Sequence, residues 1–491
     1  MVRGRRWSLT PGAGPLLAGP FFAGPLLAVS LFALGLRLLR VPARWCANAW
    51  LYAAYPAATV QALRASHPGQ ALTTFSGLHP PLWPTLHAAT ELLLPVPLLW
   101  LLGAALASTL AAVLVARRDP LAGLLLATGP LQLSYAAEVN GYPLALLAVT
   151  AVLVQRPAVA AGASPWGLAA CAMLATWTHA LGGVVAGLVA LGLPGRARLQ
   201  VLGLMAVATL PLLPGVLALA REPSTTGQPP IKVGLILADW QSRYGLLWLL
   251  LLPLAALAAP RDRWLALPLL GLAAAITAFT LARIAAPHQQ PYWLLAGPPL
   301  ALLAASGARR HRLLIGLALA LGLAQGGRAL VHGLADLRAL DRDQARTRAV
   351  DLALAELDRP WTCAGEPGPA CAGDALVLLF PRRVDDDDKR PLNPLLWRLP
   401  PWRPMPAVRP AAFDWGDYRN GQPRLVPRGD QRFVVYVDDQ AREELVQDRA
   451  AHSRLWVVVA HVAPDDPAAR GVSARLGAPP QVVDGDLLWR P

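Results

Sequence analysis

The chain has 491 residues, of which 55% are hydrophobic and only 15% charged, with a formal net charge of +14. So apolar a composition excludes an intrinsically disordered chain and an ordinary soluble domain. The charge is also wrongly distributed for a nucleic-acid partner: residues 1–330 hold 22 Lys or Arg against six acids, while residues 331–491 hold 22 against 24.

The first element follows the basic start "MVRGRRW" and runs apolar to about Leu39. That is too long for the core of a cleaved signal peptide, so it is expected to be an uncleaved first span with its N-terminus in the cytoplasm. Apolar runs then recur to about residue 331. They predict about eleven spans, near 15–38, 84–115, 120–135, 141–155, 164–178, 179–194, 199–219, 245–260, 264–284, 291–308 and 312–331. Alternating sides puts "ARRDP" (116–120), Gln155-Arg156, "GRAR" (195–198), "RDR" (261–263) and "ARRHR" (308–312) in inside loops. This positive-inside pattern explains the excess charge and fixes the orientation.

The outer turns carry the residues suited to chemistry. The first outer loop, about 40–83, is aromatic and ends in "SGLHPPLWPTLH" (76–87). Pro80 and Pro81 set the entry angle of the second span, since proline is tolerated at a helix start. His79 either caps that helix or faces the loop. The next outer turn, "SYAAEVNGYPLALL" (134–147), offers Glu138 with Asn140 and Tyr142 about one helical turn away. An acid at the membrane boundary is a functional candidate, the alternative being a solvated loop acid. "WTHALGG" (177–183) puts His179 at the same level, as a packing residue or a cavity residue. Two later outer loops contribute Lys232, Asp239 and Arg243 (221–245), then Arg283, His288 and Tyr292 (283–293). Cations there are placed either to hold a lipid phosphate or to anchor the chain at the interface.

An odd number of spans sends the C-terminal portion outside. From Ala335 an amphipathic helix of about five turns is expected. Strand-like pieces follow at 374–380, 432–439 and 454–462, predicting a small extracytoplasmic α/β domain. The expected division is therefore 1–331 in the membrane and 332–491 outside. Cys363 and Cys371 are either a disulfide across a Gly/Pro loop or free thiols, whereas Cys46 and Cys171 read as small buried residues. "RRVDDDDKR" (382–390) reads as a solvated loop, because adjacent carboxylates make a poor cation cage. No P-loop, GxGxxG, GxSxG or HExxH pattern is present, and no metal site is assigned. A transporter would show repeated halves, and no internal repeat stands out.

Four segments in order resemble the large-cavity membrane glycosyltransferases of the GT-C class, the branch of protein mannosyltransferases and the aminoarabinose lipid A transferase. "HPPLWPTLH" is similar to that class's HPPL segment. "AAEVNGYPLALL" resembles its E-A-R-x-Y-x-L-L turn, with Glu138 and Tyr142 in register. "TWTHALGGVVAGL" is similar to its T-H turn, and "HQQPYWLLAGPPLALLAASG" to its R-Y-L…P-P-L span. The likeness covers about 15–330. It implies a polyprenyl-phosphate sugar donor entering from the bilayer, an envelope glycan, lipid or protein acceptor at the outer face, and a bacterial inner membrane. The presence of only two lysines, in an Ala/Leu/Pro-rich chain, fits a GC-rich bacterial genome.

In a site of that kind Glu138 or Asp239 is expected to be the acid/base group, and the outer-loop cations Lys232, Arg243 and Arg283 to bind the phosphate. Asn48, His79, Asn140, Tyr142, His179, His288 and Tyr292 complete the substrate cavity. No cofactor is certain, a divalent cation being one option. The departures are equally specific. The first-loop acid of the class is replaced by Ala47 and Asn48, and no acid occurs between residues 15 and 90. An amide cannot act as a base at neutral pH. Asn140, and the pair Gln290-Pro291, stand where the class has arginines. The alternative reading is therefore a non-catalytic relative that binds lipid-linked glycan or scaffolds envelope assembly.

Overall fold

The computed structural model describes residues 20–39, 82–83, 85–86, 89, 97–136, 141–212, 250–281, 290–345, 348–357, 361–363, 366–368, 374–379, 424–428, 432–437, 454–459 and 463–490. Most of them are helical. In chain order the helices are α1 (Pro20–Leu38), α2 (Pro97–Arg118), α3 (Pro120–Ala127), α4 (Pro130–Ser134), α5 (Tyr142–Ala160), α6 (Trp166–Thr178), α7 (Ala180–Leu191) and α8 (Gly195–Thr209). Then come α9 (Leu251–Ala256), α10 (Ala266–Leu281), α11 (Gly297–Ala308), α12 (Arg312–Ala345), α13 (Arg348–Leu357) and, among the C-terminal strands, α14 (Pro467–Leu476). Two 3-10 segments, Pro260–Leu265 and Gln290–Ala296, lead into α10 and α11.

The helices follow the expected spans in order, but their bounds differ: α5 runs past 155 to Ala160, α8 starts at Gly195 and gives way to a 3-10 turn at Leu210–Leu212, and α9 covers only Leu251–Ala256 of the 245–260 span. The span at 120–135 is two helices, because Gly129 is extended (ψ 128°) ahead of Pro130. A residue before proline is pushed out of the helical region, and Pro130 brings no N–H to continue the ladder. The span at 291–308 begins as the 3-10 segment rather than as α-helix. The last span does not stop at 331: α12 is 34 residues long, about 51 Å, and carries on to Ala345. Its second half, "HGLADLRALDRDQA", holds no proline, so nothing breaks the helix where its surface turns polar. The expected five-turn amphipathic helix is thus the end of α12 followed by α13.

Alanine and leucine fill the core, and α5 lies at its centre against α2 and α6. Small residues let backbones meet, as in membrane helix pairs generally. A Cβ on Gly307 would run into the Leu254 carbonyl of α9, and one on Gly297 into the Gln132 side chain. Other large apolar side chains point outward: Leu313 is 76% exposed, and Leu31, Leu199 and Leu270 are also exposed. Exposed leucines around a core of alanine and leucine are the arrangement expected of a bundle solvated by lipid. Among the described residues, α5 and residues 312–331 of α12 are each long and apolar enough to cross a bilayer alone.

Among the described residues one arginine lies fully inside. Arg37 of α1 is fully buried, its Nε donating to Ser108 Oγ (2.8 Å) and its Nη1 to the Ala33 and Ala127 carbonyls (3.0 and 3.2 Å). Ala127 closes α3, so the guanidinium sits at the negative end of that helix.

The C-terminal residues form a β1–β2 hairpin (Trp361–Cys363, Glu366–Gly368) and a six-stranded mixed sheet. The sheet strands are β3 (Asp374–Leu379), β4 (Arg424–Arg428), β5 (Arg432–Val437), β6 (Arg454–Val459), β7 (Gln481–Val483) and β8 (Asp486–Trp489), in the order β4-β5-β3-β6-β8-β7. Strand β3 pairs in parallel with β5 and β6, as its short apolar run suggests for a central strand. Helix α13 packs on this sheet: Glu356 accepts from Trp456 Nε1 (2.9 Å) and pairs with Arg490 (2.9 Å). The three strand segments read from the sequence all fall on strands. Cys363 lies in β1, while Cys46, Cys371 and residues 382–390 lie outside the described residues. Cys171 departs from its expected apolar role: it is half-buried, and its Sγ accepts from Gln155 Nε2 (3.2 Å).

Candidate functional site

At the end of the bundle that the charge pattern assigns to the outer face, four turns meet. Gly141 starts α5 with so little room that a Cβ there would lie 3.3 Å from both the Thr178 carbonyl and Trp83 Cβ. Glycine thus lets the start of α5 seat against the α6–α7 junction and the 82–83 segment. Tyr142, at the first position of α5, is carried into the middle of this contact and is buried.

His179 is the whole junction between α6 and α7. Its extended backbone (φ −157°, ψ 133°) ends one helix and caps the next, its Nδ1 accepting from the Leu181 N–H at 3.2 Å. An N-cap normally needs a side-chain acceptor, and here the imidazole provides it. With Nδ1 used as acceptor, the neutral ring carries its proton on Nε2.

Tyr292 comes from the 3-10 segment, which Gln132 of α4 fastens by donating from Nε2 to the Leu294 carbonyl (3.3 Å). The rings form a continuous row. Tyr135 meets Tyr142 edge-on at 5.9 Å, Tyr142 meets His179 at 5.1 Å, and His179 meets Tyr292 at 5.4 Å. These separations lie in the range where offset and edge-to-face aromatic pairs add to burial. Phenol and imidazole groups from three chain-distant segments therefore share one site.

Of the sequence-predicted site residues, the structure brings Tyr142, His179 and Tyr292 together. Glu138 and Asn140 lie outside the described residues, in the gap between Ala136 and Gly141, as do Asn48, His79, Lys232, Asp239, Arg243, Arg283 and His288. Tyr135, Trp83 and Gln132 are additions. Trp83 sits inside a segment that carries the family likeness and Tyr135 one residue before another, and that nearness was the available signal. Gln132 had none, because a lone amide in an apolar run reads equally as a solvated end. Among the described residues no three His, Cys, Asp or Glu side chains gather as a divalent cation would need.

No family model matches the sequence, and no curated protein is similar to it. Among solved structures, the chain is similar to ArnT from Cupriavidus metallidurans bound to undecaprenyl phosphate, with a TM-score of 0.51 and 14% identity, covering 96% of this chain and 98% of that one. The apo structure of the same protein gives a TM-score of 0.52 at 14% identity, covering 95% and 98%. At that identity the likeness is one of fold, and it runs through both the helices and the C-terminal sheet. The chain has the architecture of ArnT, an aminoarabinose lipid A transferase of the GT-C class.

Proposed function

We propose that the chain is a membrane glycosyltransferase that moves a sugar from a polyprenyl-phosphate donor to an envelope glycan, lipid or protein at the outer face of a bacterial inner membrane. The observation that carries this reading is the near full-length fold likeness to a protein solved with undecaprenyl phosphate bound, together with the meeting of Tyr142, His179 and Tyr292 in one row. Eleven spans, a cytoplasmic N-terminus and an extracytoplasmic domain over 332–491 belong to the same proposal. The nominal boundary at 331 falls within α12, so that helix would carry the outer domain directly on the membrane part.

In the reaction the acceptor hydroxyl attacks the anomeric carbon. The bond from that carbon to the phosphate oxygen breaks, polyprenyl phosphate leaves with the electron pair, and a carboxylate takes the hydroxyl proton. Glu138, two residues beyond Ala136, and Asp239 are the acids assigned to that last role. A positioned base contributes about 10²- to 10⁴-fold to such a step. Lys232, Arg243 and Arg283 are assigned to the leaving phosphate, whose charge grows as the bond breaks. His179 and the tyrosines wall the sugar site, and His79, Asn48, Asn140 and His288 complete it. A divalent cation is no part of this assignment.

A second reading, a non-catalytic lipid-glycan binder, is favoured by Ala47 and Asn48 where the class carries its first-loop acid. The test separates them. The purified protein in lipid nanodiscs is given labelled polyprenyl-phosphate hexoses and a crude envelope acceptor, and polyprenyl phosphate release is followed. Release that Glu138→Gln or Asp239→Asn lowers by about 10²-fold or more supports the transferase and names its base. Donor binding without release from any hexose supports the binder.

A further inference from the structure

The opposite end of the bundle holds a cavity of about 590 Å³, walled by the inside turns. Five arginines (118, 156, 261, 309 and 310) and two aspartates (119 and 262) line it, a surplus of three positive charges. The aspartates are committed. Asp119 caps α3 by accepting from the Leu121 and Ala122 N–H groups (3.0 and 3.4 Å), and it pairs with Arg309 (3.0 Å). Asp262 pairs with Arg118 (3.0 Å) and accepts from Ser306 Oγ (2.7 Å).

Arg156 and Arg310 meet no carboxylate among the described residues. Arg156 donates to the Gly192 carbonyl (2.9 Å) and lies 4.0 Å over the Trp264 ring, while Arg310 donates to the Ala258 carbonyl (3.2 Å). Two donors at this end, Arg118 Nη1 and Arg156 Nε, are buried and make no hydrogen bond. Leaving such groups unmade is costly, and an anionic oxygen is their natural acceptor. The positive-inside rule accounts for arginine in these loops. It does not account for their convergence on a cavity with unmatched buried donors.

Beside this cavity runs an apolar groove of about 610 Å³ between α1, α3 and α12, walled by Phe32, Leu121, Leu124, Ile315, Leu319 and Leu323. Arg309 lines both spaces, and the Asp119-Pro120 peptide stands between them. From Arg312 to Leu323 α12 rises about 16 Å, which matches the roughly 15 Å hydrocarbon depth of one leaflet. A charged cavity joined at one arginine to a leaflet-deep apolar groove has the chemistry of a phospholipid.

We propose that this end binds an anionic glycerophospholipid of the adjoining leaflet, its phosphate held by Arg118, Arg156 and Arg310 and one acyl chain lying in the groove. The leaflet is the cytoplasmic one in the topology above, so this lipid is distinct from a donor handled at the other end.

Native mass spectrometry of the full chain titrated with phosphatidylglycerol, phosphatidylethanolamine or glycerol 3-phosphate tests it. Phosphatidylglycerol is expected to bind most tightly. At about one charge's worth of attraction per arginine, the Arg156→Gln/Arg310→Gln pair weakens it about thirtyfold. The Arg156→Lys/Arg310→Lys pair keeps the charges and most of the binding, which separates a lost site from a misfolded protein. Leu319→Trp, which fills the groove, lowers lipid binding as well. Equal phosphatidylglycerol affinity in the wild type and the glutamine pair overturns the site. Glycerol 3-phosphate binding as tightly as the lipid, with Leu319→Trp silent, overturns the lipid in favour of a soluble phosphate compound.

Discussion

The two ends of the bundle are built from the same helices by opposite means. Helix α5 carries Tyr142 at one end and Arg156 about 21 Å along at the other. The segment leading through α11 likewise runs from Tyr292 to Arg309. At the Arg156 end the turns are tied by charge, with Asp119 and Asp262 each bridging segments far apart in sequence. At the Tyr142 end they are tied by ring packing, one imidazole cap and one amide, and the described residues of those turns carry no charge. Ion pairs fix geometry where water and lipid headgroups are near.

Substitutions at three positions sharpen that contrast. The largest effect belongs to Asp262→Ala. It leaves Arg118, whose side chain is 21% exposed, without its carboxylate and Ser306 without its acceptor. Breaking a mostly buried pair from one side costs about 3 kcal/mol, so thermal unfolding in detergent should drop by several degrees. An unchanged midpoint would mean that the charged end is not held by its ion pairs. Gly307→Val comes next, at about 2 kcal/mol, because the new side chain meets the Leu254 carbonyl and must force α9 and α11 apart. This loss should not depend on salt, unlike any contribution from the exposed Arg261 and Arg309 pairs.

The smallest effect on stability is at His179, where the outcome divides stability from chemistry. His179→Ala removes the cap on Leu181 and should cost about 1 kcal/mol. His179→Asn restores an acceptor, so it should unfold close to the wild type while polyprenyl phosphate release stays low. If the asparagine variant recovers both, His179 is a cap and nothing more.

Much of the fold was legible because charge alternation and apolar period act locally. The inside loops read from their arginines lie on turns, helix ends or, at 261–263, a 3-10 segment, except that Gln155 and Arg156 fall within α5, and the three strand segments were found within two or three residues of their bounds. The helix ends were less legible. The break at Thr128–Pro130 follows from one proline within an otherwise uniform run, and the continuation of α12 follows from the absence of any breaker. The site was legible only in part. Motif likeness pointed to Tyr142, His179 and Tyr292, whereas Gln132 joined them through a contact that no spacing encodes. The arginine cavity was hidden for the opposite reason: each inside loop had already been explained by topology, so nothing in the sequence asked whether the loops converge.

The central claim is that the aromatic end handles a polyprenyl-phosphate donor. Its most direct test is photo-crosslinking of a diazirine-bearing undecaprenyl phosphate to the protein in nanodiscs, with the labelled peptides mapped. Label on the peptides that contain Tyr135–Tyr142, His179 and Tyr292, displaced by unlabelled undecaprenyl phosphate but not by phosphatidylglycerol, is the predicted result. Label confined to the groove at Leu319 and Leu323, or label that phosphatidylglycerol displaces, would contradict it.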